Sequence, residues 1–168
     1  MIEVGDKAPE FEARMYHPEK EETSEITLKE LRGKWVVMTF HPGDFTFVCA
    51  TDVESFAKKY DEFKENNAEV LAISTDTVFS HKVWSETSPR VQKVQYPMVE
   101  DINKNISSAY GFLEEGGMTK RGTVIVDPDG VVQYISVFND RLGKDVEHVL
   151  KSLKGLKHIH ENPGDEDE

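Results

Sequence analysis

Cys49 is the side chain of this sequence best suited to nucleophilic chemistry, and it is the only cysteine among 168 residues. It closes the loop His41-Pro42-Gly43-Asp44-Phe45-Thr46-Phe47-Val48, at the point where an amphipathic stretch begins. A cysteine in the first turn of a helix feels the positive end of the dipole and nearby free N–H groups. Both favour the thiolate, which is the nucleophilic form. Thr46 stands three residues earlier, a spacing that can bring its hydroxyl beside the sulfur in a tight or first helical turn. Pro42 has no N–H and shapes a pocket wall without competing for hydrogen bonds. One cysteine permits no disulfide within the chain and no zinc site built of several thiolates. A lone cysteine also has a simpler reading, as a small buried hydrophobe.

Activation of the thiol is not a whole mechanism. A thiol of ordinary pKa is only ~3% thiolate at neutral pH. Complete ionisation therefore gains roughly 30-fold, or about 2 kcal/mol, where enzymes commonly supply about 8 kcal/mol or more. A site built on Cys49 must also orient its substrate and stabilise charge on the departing atom. Thr46 is a candidate for the first task, and a cation from elsewhere in the chain is needed for the second.

The elements that would hold this loop are legible as alternating apolar runs and helical patterns. Trp35 to Phe40 reads as a buried strand, ended by His41-Pro42-Gly43. Val53, Phe56, Ala57, Tyr60 and Phe63 fall on one face of a helix. Glu69 to Ser74 is a second buried strand, followed by a helix around Phe79 to Glu86. A short strand at Tyr96 to Val99 and a short helix at Asn103 to Tyr110 come next. Gly122 to Val126 and Val131 to Val137 flank Asp127-Pro128-Asp129-Gly130, a hairpin signal. A last helix is expected over Asp145 to Leu156. Buried strands separated by helices imply an α/β domain with a central mixed sheet covered on both faces. The domain is expected to span residues 1–157, with 158–168 as an acidic, flexible tail.

Net charge is −12, so a phosphate backbone would repel the chain and nucleic acid is not an expected partner. No apolar run is long enough to cross a bilayer, so no membrane association is expected. Met1 to Pro9 shows no secretory pattern, and a cytoplasmic location is the expectation. His158 and His160 could share a metal with the acidic tail, but exposed polar residues explain them as well. His81 and Trp84 read as packing on a helix face, and Gly116-Gly117 as a turn.

Pro42-x-x-x-Thr46-x-x-Cys49 resembles the signature of the peroxiredoxins, and Asp44 to Cys49 that of the branch including bacterial alkyl hydroperoxide reductase C. The similarity continues through Gly33-Lys34-Trp35-Val36-Val37, His81-x-x-Trp84, Tyr110-Gly111, Arg121-Gly122-Thr123 and Asp127-Pro128-x-Gly130. The resemblance implies a thioredoxin-like fold and peroxide reduction without metal, haem or flavin. It implies that Cys49 attacks the peroxide and becomes a sulfenic acid, and that Pro42 and Thr46 shield the sulfur and bind the peroxide. Arg121 would stabilise the thiolate and the peroxide oxygens, a role that its position before a strand does not reveal. It also implies a hydroperoxide substrate, an external thiol or protein dithiol reductant, and a homodimer or higher homo-oligomer.

The chain departs from the family's pattern in places. Ala50 and Asp52 stand where proline and glutamate are common, on either side of a retained Thr51, so a proline that helps fix the helix start is lost and the acidic arm is one carbon shorter. His41 stands where tyrosine is frequent. Asp167 falls where many relatives carry a resolving cysteine, and a Gly-Gly-Leu-Gly loop is missing between Thr87 and Tyr96. The expectation is a one-cysteine peroxidase whose long-lived sulfenic acid over-oxidises when thiol is scarce. The other reading is a thioredoxin-fold redox sensor or holdase-type binding protein without significant turnover.

Overall fold

The computed structural model describes residues 1–164; the acidic residues 165–168 of the expected tail lie outside the described residues. The strands are β1 (Glu12–His17), β2 (Glu22–Thr27), β3 (Trp35–Phe40), β4 (Ala68–Ser74), β5 (Met98–Glu100), β6 (Arg121–Val126) and β7 (Val132–Phe138). The helices are α1 (Phe47–Lys58), α2 (Tyr60–Glu65), α3 (Val78–Thr87), α4 (Asn105–Ala109) and α5 (Val146–Glu161). All seven strands form one sheet in the order β2-β1-β5-β4-β3-β6-β7. Pairs β3/β4 and β4/β5 are parallel, and the remaining pairs are antiparallel. The mixed sheet expected from the chain order is therefore present.

β3 is buried along its whole length. Its alternate residues feed two cores. Trp35 and Val37 join Phe56, Phe63, Trp84, Ile125, Leu150 and Leu153 on one face, so α1, α2, α3 and α5 all cover that side. Val36, Met38 and Phe40 join Ile2, Ile106, Tyr110, Phe112 and Val124 on the other, under α4 and the N-terminal segment. Cys49 belongs to the first core.

Three boundaries differ from the sequence expectation. The β1–β2 hairpin was not foreseen, because its strands are mostly polar and only Tyr16 and Ile26 are buried in them. β2 is an edge strand exposed over most of its length, and β1, between β2 and β5, adds only the partly buried Ala13 and Met15 to Tyr16, so the pair carries a weak period-two hydrophobic signal. α5 runs through Glu161, so residues 158–161 belong to the domain's last helix rather than to a tail. His160 there meets Asp129 at 3.1 Å and packs edge-on against Trp35. α1 starts at Phe47, which makes Ala50 its fourth residue. Ala50 N–H donates to Thr46 O at 3.0 Å, a bond that proline could not make. The replacement thus adds a hydrogen bond to the turn holding Cys49.

Gly122 separates Arg121 from Thr123 on β6 for a steric reason. A Cβ there would lie 2.7 Å from the Ser136 carbonyl oxygen and 2.8 Å from the Phe112 ring. Both neighbours are fixed, one by the β6–β7 ladder and one by the core. Gly122→Ala is expected to cost about 1–3 kcal/mol through overpacking. Chemical denaturation should show a lowered midpoint, and an unchanged midpoint would contradict the close approach.

Candidate active site

The end of β3 and the start of α1 set the position of Cys49. β3 hands the chain to His41, and the loop 41–46 folds back to begin α1. Phe45 adopts φ 65° in this loop, a left-handed backbone uncommon for a bulky residue. Thr46 is the N-cap residue of α1, and Cys49 lies in the first turn. Cys49 is fully buried, Pro42 half-buried and Thr46 exposed. The Thr46 hydroxyl donates to Gly43 O at 3.3 Å, whereas the sequence spacing allowed it to sit beside the sulfur.

Arg121 comes from the start of β6, next to β3 in the sheet. It is 2% exposed, so it is a buried cation and not a surface charge at a strand entrance. Its Nη2 donates to Cys49 Sγ at 3.2 Å. Its Nη1 donates to Asp52 Oδ2 at 2.5 Å, and its Nε to Asp140 O at 3.1 Å. All three bonds fix the plane of the guanidinium. The aspartate at position 52, one carbon shorter than glutamate, therefore does reach the arginine. One helical turn of α1 carries both the sulfur and the carboxylate, and β6 supplies the cation between them.

Lys144 is a member of this site that sequence patterning missed. Its backbone N–H donates to Asp52 Oδ1 at 2.8 Å. Its Nζ turns inward and donates to Thr39 Oγ1 and, at 2.7 Å, to Phe40 O. Burial, above all, and the Arg121 cation pull its pKa down, while Asp52 and Cys49 pull it up; the result is about 7. A Gly-Lys-Asp loop carries no recognisable signal, so only the fold brings Lys144 here.

Beside the sulfur-bearing loop lies a buried polar triad. Asp44 Oδ1 accepts from His41 Nε2 at 2.8 Å, and Asp44 Oδ2 from His81 Nδ1 at 2.7 Å. Ser80 Oγ donates to the same Oδ2 at 2.8 Å. His81 Nε2 donates to Val99 O at 2.9 Å. Both partners of His81 are acceptors, so both of its nitrogens carry protons and the ring is an imidazolium. Burial works against that charge, but the Asp44 bond and charge outweigh it and raise the His81 pKa. Burial dominates for His41, whose pKa is lowered and which donates to Asp44 as a neutral ring. For Asp44 burial is outweighed by the two histidines, which hold its carboxyl well below the usual range. His81 is thus a structural link between α3 and the loop, as its place on a helix face suggested.

The sign of the pH dependence follows. The depressed Asp44 contributes stability that is present above about pH 4 and lost as pH falls. The raised His81 contributes stability that is full below about pH 6.5 and lost as pH climbs through its folded pKa. Asp44→Ala strands a buried imidazolium and is expected to cost on the order of 3–5 kcal/mol. Urea denaturation measures this, and a loss below about 1 kcal/mol, the scale of a surface ion pair, would contradict the triad's role.

At the far end of the sheet, Asp127, Asp129 and His160 bring ligand-type atoms within 4.8 Å of one another. The Asp127 carboxylate is engaged there by the N–H groups of Asp129 and Val131 and by Gln133, which is hairpin chemistry. Among the described residues, no helix is long and apolar enough to cross a membrane.

Known proteins match both the sequence and this geometry. The sequence model of the AhpC/TSA family matches residues 4–135. An alkyl hydroperoxide reductase C of Amphibacillus xylanus is 40% identical over 163 residues, covering 96% of this chain and 86% of that protein. One from Staphylococcus haemolyticus is 38% identical over 156 residues, covering 92% and 82%. Among solved structures, Enterococcus faecalis AhpC superposes with a TM-score of 0.92 at 30% identity, covering 98% of this chain and 97% of that one. Mycobacterium tuberculosis AhpC gives 0.88 at 32%, covering 94% of each. Identity of this extent, over nearly the whole chain and with Cys49 under an arginine, places the molecule: it belongs to the AhpC/TSA family, the peroxiredoxins, and has their thioredoxin-like fold.

Proposed function

We propose that this thiol-dependent peroxidase reduces hydrogen peroxide and organic hydroperoxides through a sulfenic acid on Cys49. The observation that carries the reading is the 3.2 Å contact from Arg121 Nη2 to Sγ, inside a buried site. The thiolate attacks the nearer peroxide oxygen, the O–O bond breaks, and the departing oxygen leaves as water or an alcohol after taking a proton. Arg121 is the cation for the charge that moves from sulfur to oxygen. Asp52 aims it, which makes Asp52 a positioning residue. Pro42 forms a wall beside the sulfur, and the Thr46 hydroxyl, at the exposed mouth, turns from Gly43 O to the incoming peroxide. An external thiol or a protein dithiol returns Cys49 to the reduced state. The working unit is a homodimer or larger homo-oligomer, and residues 1–161 form its folded domain.

A binding module has no use for an arginine held by three bonds against a thiol, and this favours a reactive Cys49. The test is peroxide consumption by the purified chain with dithiothreitol. Catalytic consumption, many equivalents per chain, is expected. Consumption that stops at one equivalent would support the sensor instead.

A further inference from the structure

We propose that Lys144 Nζ is an internal trap for oxidised Cys49, closing an Sγ–Nζ sulfenamide bond within one chain. The proposal rests on the reading of Cys49 as the residue that takes oxygen from the peroxide.

The placement comes first. Asp52 ties the root of Lys144 to the same guanidinium that touches Sγ, one oxygen to each. From that root the side chain runs inward to Thr39 and Phe40 on β3. Thr39 is the register partner of Thr123 on β6, and Arg121 stands two residues from Thr123. Thr39, Thr123 and Arg121 therefore share the face of the sheet on which Cys49 packs. Cys49 and Lys144 are near enough for the charge of one to act on the other, and the lysine arm is a flexible four-carbon stem. Thr123 Oγ1 is buried on this floor without a hydrogen-bond partner among the described residues. It offers Nζ a second hydroxyl when the amine leaves Thr39.

The charges come next. The charged and titratable groups acting with Lys144 are Asp52 and Cys49 of α1, Arg121 of β6 and His41 after β3. Among the described residues Nζ has no carboxylate of its own, since its two acceptors are a hydroxyl and a carbonyl. An amine with a pKa of about 7 is neutral in a large share of molecules at neutral pH, where a surface lysine is almost always an ammonium. Oxidation shifts the balance further. A sulfenic acid is neutral, so the thiolate charge that helped hold the ammonium is gone.

The step balances. The Nζ lone pair forms a bond to Sγ as the S–O bond of the sulfenic acid breaks. The oxygen leaves with a proton from nitrogen, and one water is released. No oxidant beyond the first peroxide is needed, because the sulfenic acid already holds the oxidising equivalents. An external thiol reverses it: its sulfur attacks Sγ, the S–N bond breaks, and the amine takes back the proton. A second thiol then resolves the mixed disulfide. No other thiol exists in the chain to make this capture. An amine anchored nearby acts at high effective concentration against a second peroxide, whose attack would give sulfinic acid.

The experiment treats the full reduced chain with one equivalent of hydrogen peroxide without thiol, on either side of neutrality. Intact mass and peptide mapping follow. The expected product is two hydrogens lighter than the reduced chain, joins the Cys49 and Lys144 peptides, forms better on the alkaline side and disappears with dithiothreitol. Lys144→Arg should lose this product and collect severalfold more sulfinic acid under excess peroxide. If that variant fails to fold, the wild-type peptide map alone decides. A wild-type chain one oxygen heavier with Lys144 unlinked overturns the proposal and leaves the peroxidase reading standing. A Cys49–Cys49 dimer as the main product, or the same loss of two hydrogens in Lys144→Arg, overturns it too. A chain that consumes no peroxide overturns both readings.

Discussion

Cys49→Ser will consume no peroxide above the uncatalysed rate and will fold as the parent does. Serine differs from cysteine by one atom, and the residue sits in a close-packed core where that change is small. The hydroxyl can still accept from Arg121, so the guanidinium is not stranded. What is lost is the thiolate. A serine hydroxyl keeps its proton near neutrality and is a poor nucleophile towards peroxide oxygen. Enzymes commonly lower their barriers by about 8 kcal/mol or more, so the expected loss is roughly a millionfold. Peroxide consumption with dithiothreitol, together with circular dichroism for the fold, measures both halves. Turnover retained by the serine variant would reject Cys49 as the reacting group.

The second large effect is expected at Arg121. Arg121→Met removes the donor to Sγ and the partner of Asp52 in one change. Losing one preorganised donor costs about 3 kcal/mol, roughly a hundredfold in rate. The unpaired Asp52 carboxylate, itself 2% exposed, should also destabilise the fold by on the order of 3–5 kcal/mol. These two losses are separable. Arg121→Met combined with Asp52→Asn removes the stranded charge, so denaturation should show much of the stability restored. Stopped-flow rates of peroxide attack should stay about a hundredfold down. A folded double variant that reacts at the parental rate would show that Arg121 only holds the structure.

Much of the frame around Cys49 was legible in the sequence because it is made of local signals. β3 is a six-residue apolar run, and the β6–β7 turn carries Asp-Pro-Asp-Gly. Pro42, Thr46 and Cys49 are close in sequence, so their shared loop needs no long-range information. Arg121 is 72 residues from Cys49 and reaches it only because β6 lies antiparallel beside β3. That neighbourhood is a property of strand order, which alternating hydrophobicity does not encode. Lys144 is hidden for the same reason. Thr46 shows the opposite limit, since spacing put its hydroxyl near the sulfur and a local bond to Gly43 O directs it elsewhere. The end of α5 is not legible because its last turn, from His158 to Glu161, holds a single apolar residue, Ile159, which is exposed and extends no apolar stripe.

The docked end of α5 has a practical meaning for anyone wishing to build a disulfide into this chain. His160 rests on Trp35 and Asp129, at the end of the sheet where β3 begins. Cys49 lies past the end where β3 finishes. A six-residue strand spans about 17–20 Å, whereas bridged cysteines have Cα atoms about 4.4–6.8 Å apart. A thiol grafted at Asn162 would therefore start at the opposite pole from Cys49 of its own molecule. Any bond it made to Cys49 would join two molecules, so a non-reducing gel of that graft would work as a ruler for how neighbouring copies are arranged.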